Sequence, residues 1–176
     1  MKILLHICCA PCSVACIETL ENEGADITTF WYNPNIHPFT EYRARRDCAI
    51  DYMETVGIPL IVQDEYGLRT FIESTHSNID ARCEYCYDVR LDAAARYAKN
   101  NRFDAFSTSL LISPYQKHDL IREIGERKSE KYGIDFMYKD FRPGFRAGQK
   151  SAREVGLYMQ KYCGCIFSEE ERYLGK

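Results

Sequence analysis

Along the 176 residues, short apolar runs alternate with stretches whose apolar positions recur every three or four residues. "KILLHIC" (2–8) is a compact apolar run, as expected of a strand covered on both faces. Pro11 then opens a segment with Val14, Ile17 and Leu20 at helical spacing up to Gly24. The β-branched and aromatic "ITTFWY" (27–32) predicts a second strand, broken by "NPNIHP". Tyr42, Ala49, Tyr52, Met53 and Val56 share one face of a helix over 39–56 that stops at Gly57. "PLIVQ" (59–63) is a third strand, followed by a short helix near 67–76 and a longer one from about Cys83 to Asn100. "DAFSTSLL" (104–111) is strand four, 117–133 a helix, and "IDFMYKDF" (134–141) strand five. A last helix over roughly 149–160 leads to "YCGC", and a short polar tail runs from about 168.

This rhythm predicts one α/β domain over 1–176, with a mostly parallel Rossmann-like sheet and helices on both faces. In such a sheet, chemistry lies beyond the carboxyl ends of the strands, where strand order reverses. Here that means Cys8-Cys9 after strand one and Ser107-Thr108-Ser109 after strand four. The turn after strand one resembles in position the phosphate loop of the ATP-pyrophosphatase or HUP-type fold. "HICCAPCS" (6–13), however, lacks the glycines that let backbone N–H groups cradle phosphate, so no ATP site is expected.

Residues 2–8 are too short and too interrupted for a secretory leader, and no apolar stretch is long enough for a bilayer, so a cytoplasmic protein without membrane partners is expected. Reducing surroundings turn nine cysteines from a disulfide framework into metal or redox groups. The net charge of −3 argues against nucleic acid as a whole-chain preference. The charge is uneven, though: Lys139, Arg142, Arg146, Lys150, Arg153 and Lys161 face only Asp140 and Glu154 in their stretch, and "EYRARR" (41–46) adds a second basic cluster. A local patch of this kind can bind a polyanion.

Cys8, Cys9 and Cys12 follow strand one, Cys83 and Cys86 lie one helical turn apart in "RCEYCY", and Cys163 and Cys165 flank Gly164. Cys16 and Cys48 stand alone on apolar faces and read as core packing. "CAPC" (9–12) has the layout of a thioredoxin-like dithiol, but that site needs only two thiols. Cys8 and Cys9 with Cys83 and Cys86 offer four soft ligands for zinc or an iron–sulfur cluster, and spacing does not exclude Cys12. An adjacent Cys-Cys pair suits a cubane better than one small ion, because neighbours can reach different irons. "YCGC" can store two electrons as dithiol/disulfide, pack as a plain loop, or ligate a separate metal with a carboxylate such as Asp104 or Asp140. A general thiol–disulfide oxidoreductase and a zinc-stapled nucleic-acid-binding module therefore both stand as alternatives. His6 reads as a satisfied core histidine, and Asn33 and Asn35 as the turn around Pro34, with contact to a modified base as the other role.

Together "LLHICCAPCS" (4–13), "FWYNPNIHPFTEYRARR" (30–46), "RCEYCYDVRL" (82–91), "FDAFSTSLLISPYQKHDLI" (103–121) and "DFMYKDFRPGFRAGQKSAREVGLYMQKYCGCIFS" (135–168) resemble the QueH-type epoxyqueuosine reductases over nearly the whole chain. The resemblance implies reduction of epoxyqueuosine to queuosine at the wobble position of tRNA, without cobalamin. It implies a [4Fe–4S] cluster on Cys8, Cys9, Cys83 and Cys86, a redox-active pair in Cys163 and Cys165, an electron donor of unspecified identity, and room for an additional iron ion. In this reading iron polarises the epoxide oxygen, and a Cys12 thiolate at a helix start assists ring opening. Arg142, Arg146, Lys150 and Arg153 are candidates for phosphate contact, Tyr32 and Tyr115 for base stacking, and Asn33 and Ser109 for further substrate contacts.

Overall fold

The computed structural model describes residues 1–175. Its five strands are β1 (Lys2–Ile7), β2 (Asp26–Trp31), β3 (Leu60–Val62), β4 (Ala105–Thr108) and β5 (Asp135–Phe136). They form one parallel sheet in the order β3-β2-β1-β4-β5. The helices are α1 (Ala10–Asn22), α2 (Phe39–Val56), α3 (Leu68–Thr75), α4 (Arg82–Asn100), α5 (His118–Tyr132), α6 (Phe145–Glu154) and α7 (Ile166–Leu174). β1 occupies the centre because both its faces are apolar: Ile3, Leu4, Leu5 and Ile7 are fully buried, and the core of Phe30, Trp31, Leu91, Phe106 and Ile121 closes around them. Strand order reverses between β1 and β4, which pair in register from Ile3↔Ala105 to His6↔Thr108, so the predicted switch point is present.

His6 is the polar member of β1. Its Nδ1 lies 2.9 Å from Thr108 Oγ1 and its Nε2 3.2 Å from both Asn33 Oδ1 and the Tyr32 carbonyl. Burial lowers its pKa to about 4, so it rests neutral as a satisfied core histidine. Among the described residues no helix is long and apolar enough to cross a membrane.

Four elements differ from the sequence reading. β5 covers only two of the eight residues expected, because Asp140 Oδ1 accepts the Arg142 N–H (3.0 Å) and turns the chain into a short 3-10 segment at Arg142–Gly144. The last expected helix starts earlier, at Phe145, and ends at Glu154: Gly156 takes a left-handed conformation (φ +76) and Leu157 N–H returns to the Ala152 carbonyl at 2.9 Å. The polar tail is helical (α7), because Ile166 and Phe167 pack against Phe71, Cys86 and Cys165, and Glu171 pairs with Arg82. The four residues after β4, Ser109–Ile112, form a 3-10 turn in place of the strand's second half.

Candidate functional site

β1 ends by handing the chain directly to α1. Cys9 is the residue before the first helical turn, in extended conformation (φ −171, ψ 157), and Pro11 lies in that turn, where its missing N–H costs nothing. This brings the sulfurs of Cys8, Cys9 and Cys12 within 4.8 Å of one another, all three buried. A helix start favours negative charge, and Cys8 takes it. Hydrogen bonds from the Cys12 and Cys9 thiols, with help from the Arg90 charge, hold Cys8 well below the usual thiol range. Cys9 is pushed well up by burial, and Cys12 well up by its bond to Cys8.

Cys83 and Cys86 enter from the first turn of α4, outside that compact trio. Cys86 is buried beside Phe71 and Cys165, and burial raises its pKa far above the ordinary thiol value. One turn further on, Arg90 is 3% exposed, and its Nε donates to the Cys86 carbonyl at 2.7 Å. Arg90 has no carboxylate partner among the described residues. Burial raises the pKa of Cys86 and Cys163, and the Arg90 charge works against that rise while helping to lower Cys8.

The Cys163–Gly164–Cys165 loop is clamped from below. Arg45, only 1% exposed, donates from Nη1 to the Cys163 carbonyl (2.8 Å) and from Nη2 to the Tyr162 carbonyl (2.9 Å). Its Nε pairs with Glu41 at 2.6 Å, and the other Glu41 oxygen accepts the Tyr158 hydroxyl at 2.5 Å. His37 holds the far side: its N–H reaches the Gly164 carbonyl (2.8 Å), and its Nδ1 accepts the Ile166 N–H (3.3 Å). Gly164 adopts φ +154, and a Cβ there would lie 3.3 Å from Ile36 Cγ1 and 3.5 Å from Arg45 Nη1. That backbone conformation is strained for any other residue, and a side chain would press on Ile36.

These parts open onto one cavity of about 590 Å³, lined by Cys8, Cys12 and Cys163 together with Ser109. Two amides touch the sulfurs. Gln160 Nε2 lies 3.2 Å from Cys12 Sγ, and Gln116 Nε2 lies 3.3 Å from Cys163 Sγ. Tyr115, Phe145, Arg153, Lys161 and Arg172 complete the lining.

Of the expected substrate residues, Ser109, Tyr115 and Arg153 reach this cavity. Ser109 accepts the Cys8 N–H at 3.4 Å, and Tyr115 is 85% exposed, edge-on to Phe145 with ring centroids 6.3 Å apart. The others are placed differently. Asn33 is fully buried, its Nδ2 donating to the Ile7 carbonyl at 2.9 Å, so it braces the end of β1 rather than meeting a base. Tyr32 is 8% exposed and its hydroxyl donates to Glu65 at 3.3 Å, which leaves no open ring face. Arg142 is chelated by Asp140 at 2.7 and 2.8 Å, and Arg146 and Lys150 lie on the exposed side of α6 outside the cavity lining. Asp104 accepts the Lys2 N–H at the amino end of the sheet, opposite the thiols. Asp140 is paired with Arg142 at the surface.

Several residues escaped the sequence reading. Gln116, Gln160 and Arg90 lie within the stretches that carry the family resemblance, but their residue types and spacing gave no sign of contact with the cysteines. Arg45 was hidden in a basic run, although Arg45, Ala49 and Met53 recur every four residues on the buried stripe of α2.

A family model described as epoxyqueuosine reductase QueH matches residues 3–171. An epoxyqueuosine reductase QueH of Dehalococcoides mccartyi is 36% identical over 98% of this chain and 94% of its own length. One of Thermotoga maritima is 36% identical over 97% and 91%. Among solved structures, the U34-tRNA thiolase NcsA of Methanococcus maripaludis with its [4Fe-4S] cluster aligns with TM-score 0.62 and 16% identity, over 96% of this chain and 61% of that one. At that identity the likeness concerns the α/β fold.

Proposed function

The chain belongs to the QueH family of epoxyqueuosine reductases, and from that premise we propose that it holds an iron–sulfur cluster on Cys8, Cys9, Cys83 and Cys86 and reduces the epoxide of epoxyqueuosine in tRNA with electrons stored in Cys163 and Cys165. The observation that carries this reading is the shared cavity, which sets Cys163 of the C-x-C loop against Cys8 and Cys12.

The residues fit such a group. The donors are soft sulfurs unpaired by disulfides, with Cys8, Cys9 and Cys86 buried and Cys83 half-buried. The cation of Arg90, buried with no carboxylate partner among the described residues, calls for anionic thiolates beside it. Cys83 and Cys86 stand apart from the compact trio, a spread suited to several metal atoms rather than one tetrahedral ion. When bound, the cluster supplies one-electron transfer and Lewis acidity at iron.

The chain's own residues do the rest. Conversion of an epoxide to an alkene and water consumes two electrons and two protons, which two thiols supply on becoming a disulfide. Arg153, Lys161 and Arg172 around the cavity bind the phosphates that flank the modified nucleotide, and Tyr115 offers a face for a neighbouring base. An external reductant then reopens the disulfide.

Protein purified without oxygen is expected to be brown, with broad absorbance near roughly 400 nm and acid-labile sulfide. Given tRNA bearing the epoxide, it releases the alkene nucleoside. Colourless protein that stays colourless after reconstitution with iron and sulfide overturns the cluster. Zinc in its place supports a stapled binding module.

A further inference from the structure

The two cysteines of the C-x-C loop meet different surroundings. Cys163 is exposed and lines the cavity, whereas Cys165 is 6% exposed and packs against Phe71 and Cys86. Gln116 attends only the first. Its Nε2 lies 3.3 Å from Cys163 Sγ, and its Oε1 accepts the Tyr87 hydroxyl at 2.6 Å. The Tyr87 oxygen in turn accepts the Lys117 N–H at 3.3 Å, which commits the tyrosine proton to Gln116. The amide is therefore locked with its N–H end toward sulfur, the orientation that stabilises a thiolate. Below it, Arg45 and His37 hold the backbone of the loop, so the Cys163 side chain is the part free to reach into the cavity.

The geometry points to a division of labour: Cys163 is the nucleophile that opens the epoxide, Cys165 is its resolving thiol, and Gln116 is the positioning residue that presents the Cys163 sulfur. This rests on the dithiol reading above and assigns the nucleophile to Cys163 rather than Cys12, a residue 7% exposed whose sulfur is grouped with those of Cys8 and Cys9. In the first step the Cys163 thiolate attacks an epoxide carbon. A C–S bond forms, a C–O bond breaks, and the alkoxide takes a proton to give a β-hydroxy thioether. In the second, the Cys165 thiolate attacks Cys163 Sγ. An S–S bond forms and the C–S bond breaks. The released electron pair becomes the C=C π bond as the neighbouring C–O bond breaks, and hydroxide takes a proton. Epoxide and two thiols become alkene, disulfide and water, and the two electrons gained by the substrate are those lost by the sulfurs.

The test is a single anaerobic turnover on tRNA bearing epoxyqueuosine, analysed by mass spectrometry after quenching. Cys165→Ser is expected to accumulate a protein–tRNA adduct at Cys163 that survives reductant, as a thioether does. Cys163→Ser gives neither adduct nor product. Wild type gives product and one equivalent of Cys163–Cys165 disulfide. An adduct at Cys12, or a Cys165→Ser protein that keeps wild-type iron content and forms none, overturns the assignment while leaving the dithiol in place. Wild-type product without disulfide overturns the dithiol reading itself. In reduced wild type, iodoacetamide should label Cys163 about tenfold faster than Cys165, and Gln116→Leu should remove most of that advantage while circular dichroism stays unchanged. Faster labelling of Cys165 would equally refute the division.

Discussion

The Cys8–Cys9–Cys12 trio and the Cys163–Cys165 loop serve one cavity, yet they are built in opposite ways. The trio grows from the central strand and the helix it feeds, so local geometry alone converges its sulfurs. The loop has no such element beneath it. It depends on Arg45, Glu41, Tyr158 and His37, which come from distant parts of the chain, to hold carbonyls and N–H groups in place. A rigid strand end suits ligands that must not move. A tethered loop with one exposed sulfur suits a group that changes its bonding partner during turnover.

The sharpest way to break this contrast is to remove one sulfur from each region. Cys9→Ser should abolish the cluster absorbance and turnover together. Cys163→Ser should leave the colour intact while activity falls below detection. Equal loss of iron in both would show the loop to be part of the metal cage.

The loop's dependence on its clamp comes next. Arg45→Met leaves Glu41 buried without its cation, which should cost about 3 kcal/mol in urea unfolding and lower turnover by about a hundredfold, with iron content unchanged. Adding Glu41→Leu should restore the stability but not the rate. Recovery of both would reduce Arg45 to a packing residue.

Acid should loosen the loop as well. Burial lowers the pKa of His37 from 6.5 to about 4, so the folded chain binds its proton less readily than the unfolded chain does. The resulting stability is complete above about pH 6.5, falls between there and about pH 4, and amounts to about 3 kcal/mol. Protonated Nδ1 can no longer accept the Ile166 N–H. Denaturant midpoints measured from pH 7 to pH 4 should fall, and His37→Gln should flatten part of the slope that His6 shares.

The smallest effects belong to the cavity's basic lining. Alanine at Arg153, Lys161 or Arg172 should each reduce the slope of log K against log salt for tRNA binding by about one. Alanine at Arg146 or Lys150, which lie outside the lining, should leave it nearly unchanged.

The sequence showed what contiguous residues determine. The parallel sheet, its switch point and the trio were all readable, because an apolar run, a proline and three cysteines sit side by side. Cys83 and Cys86 were visible through their one-turn spacing. The supporting groups were not, since each meets its partner across long chain separations: Gln116 touches a sulfur 47 residues away and Gln160 one 148 residues away. Charge runs misled for a related reason. Counting bases does not say which are chelated, as Arg142 is, which are buried, as Arg45 is, and which line the cavity, as Arg153 does. The expected tail folded into α7 because two apolar residues at its start found the Phe71 cluster, a partner set by tertiary packing.

Arg90 carries a consequence for how the protein matures in the cell. Among the described residues this interior cation has no carboxylate of its own, and the Cys8 thiol, its pKa lowered, supplies part of its counter-charge. Under the proposed cluster reading, further thiols would complete it on giving up their protons to metal. If the proposed cluster is held there, iron delivery is a late folding step as much as the loading of a catalyst, and cells starved of iron should hold this chain in a form that proteases clear first.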